Sequence, residues 1–164
     1  TALPICHLPP DQRARVNFDH PDSLETDLLV AHIAAFRQGR SALVPTYDFV
    51  THTRGDATIR VTPTATVIVE GILLLAHEEL RSALDLAVFI DVEDDARLAR
   101  RLERDIAARG RSPESVTRQW LETVRPMHDA FVRPSIAHAD VIVPGGGHND
   151  IAARTIAAYV ARDR

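Results

Sequence analysis

The segment Leu86-Ala-Val-Phe-Ile-Asp-Val92 is followed, after Glu93-Asp-Asp-Ala96, by Arg97-Leu-Ala-Arg-Arg-Leu-Glu-Arg-Asp-Ile-Ala-Ala-Arg-Gly-Arg111. The first stretch is almost continuously apolar, which is typical of a strand buried in a parallel sheet. The second has helical spacing, and at about 100° per residue Arg97, Arg101 and Arg104 fall on one face. A buried strand that leads into a long polar helix favours an α/β fold.

The same alternation extends along the second half of the chain. Thr66–Val69 is a β-branched run that ends at Glu70-Gly71, and it predicts a second buried parallel strand. Asp140–Val143 predicts a third. The intervening helices are expected over Leu75–Ser82, over Pro113–Ala130 with Trp120 and Val124 inward, and over Asp150–Arg162. This order predicts an open α/β sheet.

The first half predicts a helix and a hairpin. Leu24–Gln38 carries a helical apolar stripe of Leu28, Leu29, Ile33 and Phe36, and Gly39 is expected to end it. The runs Ala42–Val44, Tyr47–Thr51 and Ala57–Val61 are rich in strand formers and are split by Pro45 and Arg54-Gly-Asp56, which indicates a hairpin. We expect one domain over residues 1–164.

Composition excludes several classes of protein. The chain has 164 residues, a net charge of −4 and one cysteine, so a disulfide framework or a cysteine metal site is not expected. The longest apolar run is too short to span a bilayer, and the default expectation is a cytoplasmic protein without membrane or nucleic-acid partners. All basic residues are arginine, so these residues contain no Gly-x-x-x-x-Gly-Lys-Ser/Thr loop.

Six arginines lie within residues 97–111. Guanidinium groups bind phosphate oxygens in pairs and stay charged at any working pH, so the cluster favours an anionic ligand. Gly110 is expected to end the helix and to turn Arg109 and Arg111 round. The alternative is a solvated helix on which Arg100, Glu103 and Asp105 form ordinary surface pairs.

Polar side chains elsewhere suggest a ligand site. Glu70 follows a predicted strand, where a carboxylate can hold hydrated Mg²⁺ or simply face solvent. Asp19, beside Phe18, can accept hydrogen bonds from a vicinal diol or can cap a turn. Tyr47 and Phe49 share a strand face with Thr51, and His52 lies close by, a set that could hold a flat heterocycle. By spacing alone this set is better explained as a hairpin surface with core aromatics.

Two other patterns do not indicate a functional site. The histidines form no His-x-x-x-His pair, so a zinc site is not expected. Gly145-Gly-Gly147 lacks the Lys-Ser/Thr of a phosphate loop and predicts a plain turn.

Five segments occur in a fixed order and together resemble one family. They are Val16-Asn-Phe-Asp-His-Pro-Asp22, Val44-Pro-Thr-Tyr-Asp-Phe-Val-Thr-His-Thr-Arg54, Val67-Ile-Val-Glu-Gly-Ile-Leu73, Arg100-Arg-Leu-Glu-Arg-Asp-Ile106 with Arg109-Gly-Arg111, and Ala139-Asp-Val-Ile-Val-Pro144. From His7 onward the chain resembles uridine kinases (uridine–cytidine kinases). The resemblance implies a P-loop kinase-like, three-layer α/β/α fold with a hairpin insertion that binds nucleoside and a helical lid.

The resemblance also implies an activity and its residues. The γ-phosphate of ATP or GTP would pass to the 5′-hydroxyl of uridine or cytidine, with Mg²⁺, in pyrimidine salvage, and a homo-oligomer is left open. Asp19 would hold the ribose hydroxyls with Phe18 beside it, Tyr47 and His52 would contact the pyrimidine edge, and Phe49 would pack on the ring. Glu70 would serve Mg²⁺. In the arginine segment, Arg101 would contact the nucleoside near its reacting end, Arg104 and Arg109 would clamp phosphates, and Arg111 and Gln119 would complete the nucleoside pocket. Arg97 and Arg100 are left as ordinary surface charges.

The chain departs from this family at its start. The family's first strand, Walker A loop, second strand and catalytic aspartate would all precede Thr1. The first strand is expected between the Thr66–Val69 and Leu86–Val92 strands, so without it two apolar strand edges lose their partner. We therefore expect these residues alone to fold poorly and to lack kinase activity.

Other functions remain as alternatives. A non-catalytic nucleoside-binding or regulatory protein derived from a kinase would keep the nucleoside residues without the phosphate loop. A nucleic-acid binder would use the arginine helix, although the acidic net charge argues against it. Phosphoribulokinase is the related enzyme, but Tyr47, Phe49 and His52 suit a base better than a sugar phosphate.

Overall fold

The computed structural model describes residues 8–9, 12, 16–48, 53–146 and 149–162. The chain divides into two compact units, residues 1–85 and residues 86–164. The prediction of one domain over residues 1–164 stays a prediction. Strands and helices alternate as expected of an α/β protein, and the parallel strands lie in the second unit.

The first unit opens with a 3-10 turn at Pro21–Ser23 and helix α1, Thr26–Arg37. The apolar stripe holds Ile33 in the core, where it is 6% exposed. Gly39 ends the helix as predicted, because its φ of +70° lies in the left-handed region that glycine adopts without strain. Its N–H donates to the carbonyl of Phe36 at 2.9 Å.

The hairpin is confirmed, but its strands are longer than predicted. Strand β1 is Ala42–Asp48 and pairs antiparallel with β2, Thr53–Val61. Pro45 does not split β1, because it pairs with Thr58 inside the ladder. The register shift follows it, between Pro45 and Tyr47, where β2 carries the extra residues between Arg54 and Thr58. Residues 54–56 lie inside β2, so the expectation that they interrupt the hairpin was wrong.

The predicted strand at Thr66–Val69 is absent. Residues 62–73 contain no strand, and Ile68 and Val67 are 88% and 44% exposed. An apolar segment becomes a strand only where a neighbouring strand accepts and donates its backbone hydrogen bonds. In the described part of the first unit, β1 and β2 pair with each other and segment 66–69 joins no ladder.

A short helical stretch closes the first unit. It consists of a 3-10 turn at Leu74–Ala76 and helix α2, Glu78–Ser82, close to the predicted Leu75–Ser82. Leu73 and Leu80 are 3% and 1% exposed and form the apolar centre with Ile33. Helix α1 packs beside both α2 and β1.

The second unit is built on a parallel pair. Strand β3, Val88–Asp91, runs parallel to β4, Val141–Pro144. The Asp140 carboxylate accepts a hydrogen bond from the backbone N–H of Ala87 at 2.8 Å, which fixes the start of the pairing. The positions of the predicted strands at Leu86–Val92 and Asp140–Val143 are thus confirmed to within a few residues. The expectation of a fully buried strand at Leu86–Val92 was wrong, because Ile90 is 55% exposed, as is Ile142 on β4 at 51%.

The other regular elements of the second unit are helices. Helix α3 is Asp94–Arg109 and packs against α4, Pro113–Gln119, which Ser112 caps through the N–H of Ser115 at 3.2 Å. From α4 the chain stays helical to His138 through wide π turns at Trp120–Val124 and His128–Val132. The intervening α5 is Arg125–Met127, a 3-10 turn follows at Arg133–His138, and the last helix, α6, is Asp150–Arg162. Prolines 126 and 134 lack the N–H of a regular helix, which explains the irregular turns.

Trp120 and Val124 face inward as predicted, with 5% and 9% exposure, and Val116 is fully enclosed. Across the part of the chain that the structure describes, no helix combines the length and the apolar character that a membrane crossing requires.

We expect Gly55→Ala to lower the free energy of unfolding by about 1–3 kcal/mol through overpacking of the hairpin. A Cβ at Gly55 would lie 2.6 Å from the Thr46 hydroxyl oxygen, which itself donates to the carbonyl of Ala57 at 2.9 Å. Urea unfolding of Gly55→Ala, Thr46→Ala and the double variant measures this clash. In the Thr46→Ala background the cost of Gly55→Ala should fall by more than half, and an equal cost in both backgrounds would contradict the packing argument.

Candidate functional site: an arginine cluster around a buried carboxylate

Helix α3 and the turn after it place the arginines. Gly110, with φ +62°, ends the helix in the left-handed conformation, as the sequence predicted. The backbone N–H groups of Gly110 and Arg111 both donate to the carbonyl of Asp105, the latter at 3.1 Å. The chain therefore turns back on the last helical turn and brings Arg111 beside α3.

The carboxylate of Asp105 lies at the centre of these arginines. Its Oδ1 accepts a hydrogen bond from Arg104 Nε at 2.8 Å and lies 3.2 Å from Arg109 Nη1. Its Oδ2 lies 3.4 Å from Arg111 Nη1 and 3.9 Å from Arg101 Nε. Asp105 is 0% exposed. The guanidinium groups thus replace the water that this carboxylate has lost.

Gln119 joins the deeper pair of arginines. Its Oε1 accepts hydrogen bonds from Arg101 Nη2 at 2.8 Å and from Arg111 Nη1 at 2.9 Å. Gln119 is the last residue of α4, and the Ser112 cap with Pro113 in the first helical position sets where that helix starts. The structure therefore brings together every site residue that the sequence predicted in this unit: Arg101, Arg104, Arg109, Arg111 and Gln119.

Electrostatics keep Asp105 ionised. Burial would raise the pKa of its carboxyl group, but the Arg104 hydrogen bond and the charges of Arg104, Arg109 and Arg101 outweigh burial and hold the pKa below its ordinary value. Four guanidinium groups against one carboxylate leave the cluster strongly positive.

The arginines differ in their access to solvent. The side chains of Arg104 and Arg109 are 53% and 43% exposed, whereas those of Arg101 and Arg111 are 17% and 33% exposed. The outer pair can therefore exchange part of its contact with Asp105 for a dissolved anion, while the inner pair is held by Gln119 as well. Phosphate oxygens are the ligands that such guanidinium groups favour.

A second network anchors the start of α3. Arg97 Nη2 donates to Asp94 Oδ1 at 2.5 Å, and the Arg97 guanidinium lies 5.2 Å from the centre of the Trp120 ring. Arg133 also donates to Asp94, at 3.2 Å, and the Arg97 hydrogen bond is the main cause that lowers the pKa of Asp94. Arg97 is thus a packed residue that ties α3 to the helical segment after α4, and its assignment as an ordinary surface charge was wrong.

His128 belongs to this network. Its Nδ1 lies 3.3 Å from Arg97 Nη2 and 3.6 Å from Asp129 Oδ1. Burial lowers the pKa of His128, and the charge of Arg97 adds to that effect. The imidazole is therefore disposed to stay neutral, and its role is packing and hydrogen bonding.

The first unit holds the other predicted residues. Phe18 and Asp19 form a half-buried turn ahead of α1, in which Ser23 Oγ donates to the Phe18 carbonyl at 3.1 Å and the Asp19 N–H donates to Asn17 Oδ1 at 3.1 Å. Tyr47 is half-buried on β1, and burial, with the charge of Asp48, raises the pKa of its hydroxyl. Phe49 and His52 lie outside the described residues.

Glu70 is exposed and lies in a segment without a strand, so the expectation that it ends a buried strand was wrong. Among the described residues no group of three histidine, cysteine or acidic side chains could hold a metal ion. Mg²⁺ needs no such cage, because it keeps several waters and often binds one carboxylate together with substrate phosphates. The hard oxygen donors of Glu70 therefore fit a nucleotide-bound Mg²⁺.

Sequence reasoning missed Asp105 as a site residue and treated it as one member of an ordinary surface pair. The signal was present, because Asp105 follows Arg101 by four residues and precedes Arg109 by four. What the spacing does not contain is the return of Arg111 after Gly110, which closes the cluster over the carboxylate.

Parallel strands joined by helices, with arginines converging beside a glycine-terminated helix, define an α/β protein with a cationic cluster at one helix end. A model of the Phosphoribulokinase / Uridine kinase family matches residues 9–152. The chain belongs to this family of kinases, so the resemblance found in the sequence and the P-loop kinase fold class are confirmed.

Curated relatives agree with the family assignment. The chain is 50% identical over 156 residues to a uridine kinase of Chloroflexus aggregans, a match that covers 95% of this chain and 75% of that protein. It is 46% identical over 145 residues to a uridine kinase of Lactobacillus helveticus, with 88% of this chain and 69% of that protein covered. A uridine kinase of Staphylococcus aureus is 44% identical over 146 residues, covering 89% of this chain and 70% of that protein.

Asp105→Asn should lower the free energy of unfolding at pH 7 by up to about 3 kcal/mol, since it leaves the arginines without their counterion. The folded-state pKa of Asp105 lies below the ordinary value of about 3.9, so the carboxylate stabilises the fold fully above that value. The stability is lost as pH falls through the lower, folded-state pKa. Urea unfolding from pH 7 to pH 2 should therefore show the difference between wild type and variant shrinking only below about pH 4.

The matched control is Glu103→Gln, an exposed carboxylate on the same helix. It should leave both the stability and its pH profile unchanged. A pH-independent difference between wild type and Asp105→Asn would rule out the ionised carboxylate as the source of the stability.

Proposed function

We propose that this chain carries the nucleoside- and phosphate-binding parts of a pyrimidine nucleoside kinase, which transfers the γ-phosphate of ATP or GTP to the 5′-hydroxyl of uridine or cytidine. The main support is the arginine cluster around Asp105, in a chain that is 44–50% identical to proteins named uridine kinase. Phosphoryl transfer depends on positioned positive charge more than on covalent chemistry, and the cluster supplies such charge.

In the first unit, Asp19 is assigned to the ribose. A carboxylate offers two acceptor oxygens, which match the two hydroxyls of a vicinal diol. Phe18 beside it and Tyr47 on β1 supply aromatic surface for the nucleoside, and both are half-buried. Phe49 and His52 are assigned to the pyrimidine on the family resemblance alone.

In the second unit, the inner and outer arginines receive different roles. Arg101 and Arg111, held by Gln119, are assigned to the nucleoside near its reacting end. The more exposed Arg104 and Arg109 are assigned to the phosphates of the donor. Glu70 would take a place in the coordination sphere of Mg²⁺, which when bound offsets phosphate charge.

A nucleoside-binding protein without kinase activity is the second candidate. The 164 residues contain no lysine, so a Walker A lysine for the donor phosphates is not among them, whereas the residues assigned to the nucleoside are present. Both candidates bind nucleoside, so the distinction lies in the transfer step.

Asp19→Asn should weaken uridine binding by about ten- to a hundredfold, because it removes charge-assisted hydrogen bonds worth about 1.5–3 kcal/mol. Isothermal titration of the chain with uridine and 2′-deoxyuridine measures this. The wild type should prefer uridine, and Asp19→Asn should lose most of that preference. Asp22→Asn is the matched control, since its side chain is 90% exposed, and it should bind like wild type. Equal discrimination by wild type and Asp19→Asn would remove Asp19 from the ribose site.

We expect the 164 residues to form no UMP from uridine, ATP and Mg²⁺, because these residues offer no Walker A loop. Chromatography of the reaction products tests this, and sustained UMP formation would contradict it.

The nucleotide sequence that precedes Thr1 separates the two candidates. An in-frame Gly-x-x-x-x-Gly-Lys-Ser/Thr followed by an Asp-Ser/His-Tyr-Tyr stretch would establish an active kinase, and a coding start without them would favour the nucleoside-binding protein.

A further inference from the structure

The arginine cluster contains one residue that cannot contact a ligand. Asp105 is 0% exposed, and the guanidinium groups of Arg101, Arg104, Arg109 and Arg111 cover both of its carboxylate oxygens. Any anion that enters the cluster meets arginines and is itself repelled by this carboxylate. Direct contact therefore does not explain why an acidic residue lies at the centre of a phosphate-binding surface.

The position of the Asp105 carboxylate between the arginines explains better why an acidic residue lies there. Four like charges repel one another and would spread into solvent, unless an anion lies between them. Asp105 Oδ1 faces the outer pair, at 2.8 Å from Arg104 Nε and 3.2 Å from Arg109 Nη1. This oxygen draws two exposed, flexible side chains toward one point, where their remaining N–H groups can face a common ligand.

The charge balance leaves room for that ligand. One carboxylate offsets a quarter of the positive charge of four guanidinium groups, so the cluster stays cationic after Asp105 has oriented it. The inner pair has Gln119 as a second anchor, at 2.8 Å from Arg101 Nη2 and 2.9 Å from Arg111 Nη1. No such anchor is seen for the outer pair among the described residues, so its arrangement depends mainly on Asp105.

We propose that Asp105 is a positioning residue that orients Arg104 and Arg109 for a polyphosphate without touching it. The identification of that polyphosphate as the donor nucleotide rests on the proposed function. The orientation itself does not, and inorganic tripolyphosphate is therefore the probe.

The Asp105→Asn substitution changes anion binding in opposite directions under two explanations, so the measurement distinguishes them. Removal of a negative charge from a cationic site strengthens anion binding if charge alone matters. If Asp105 positions the arginines, the same substitution weakens binding, because the neutral amide no longer orders the outer pair. We expect tripolyphosphate binding by the chain, measured by isothermal titration, to weaken by about tenfold in Asp105→Asn.

A coupling measurement identifies the residue through which Asp105 acts. Arg109→Gln should weaken tripolyphosphate binding by about tenfold in the wild-type background and by about twofold or less with Asp105→Asn. Tighter or unchanged binding by Asp105→Asn, equal effects of Arg109→Gln in both backgrounds, or no tripolyphosphate binding by the wild-type chain would each overturn the proposal.

Asp105→Glu covers the case in which Asp105→Asn does not fold. It keeps the charge and moves it by one methylene, so a positioning role predicts intermediate affinity with Trp120 fluorescence and thermal midpoint near those of wild type. Full wild-type affinity would overturn the proposal, as would loss of the fold in both variants, which would make Asp105 a purely structural residue. Uridine binding serves as an independent readout, so a failure of the proposed nucleoside function leaves the tripolyphosphate result interpretable.

Discussion

A carboxylate that has lost its water must find cations or hydrogen-bond donors, and Asp105 finds four guanidinium groups. The turn that ends α3 makes one of these contacts possible. Gly110 lets the chain reverse, so that Arg111 can reach the carboxylate from beyond the helix. The cluster also links α3 to α4, because Gln119 accepts from two of the same arginines. The second unit is thus organised around one ion cluster as well as around its apolar residues.

The helices could be predicted because their signals are local. A stripe of apolar residues, a serine cap or a glycine with positive φ acts within a few residues of itself. The hairpin was predicted for the same reason, but its strands were cut short at Pro45, because the place of a proline in a ladder depends on the partner strand. The prediction of a strand at Thr66–Val69 was wrong altogether. Its composition suits a strand, yet a ladder needs a neighbour, and composition does not supply one.

The candidate site shows the same division between local and distant causes. The number of arginines and the turn at Gly110 could be seen in the sequence, and the family resemblance pointed to Gln119. The burial of Asp105 could not be predicted, because an i, i+4 ion pair on a solvated helix and one inside a cluster have the same spacing. Arg97 was misassigned for a similar reason, since the Trp120 ring beneath it lies in another helix. In both cases the deciding contact comes from a residue that packs against α3 from outside it.

A binding surface for phosphate must solve two problems that oppose each other. It needs several cations close together, and close cations repel. Apolar packing can hold the stems of arginines but cannot orient their charged ends, whereas a fixed carboxylate can do so at the cost of one unit of charge. In this chain helical spacing places three of the four arginines around that carboxylate, with Arg101 and Arg109 one turn away on either side and Arg104 adjacent, and the turn at Gly110 adds Arg111. The convergence of four arginines on one carboxylate is therefore encoded largely in a segment of eleven residues, Arg101–Arg111, before any ligand is present.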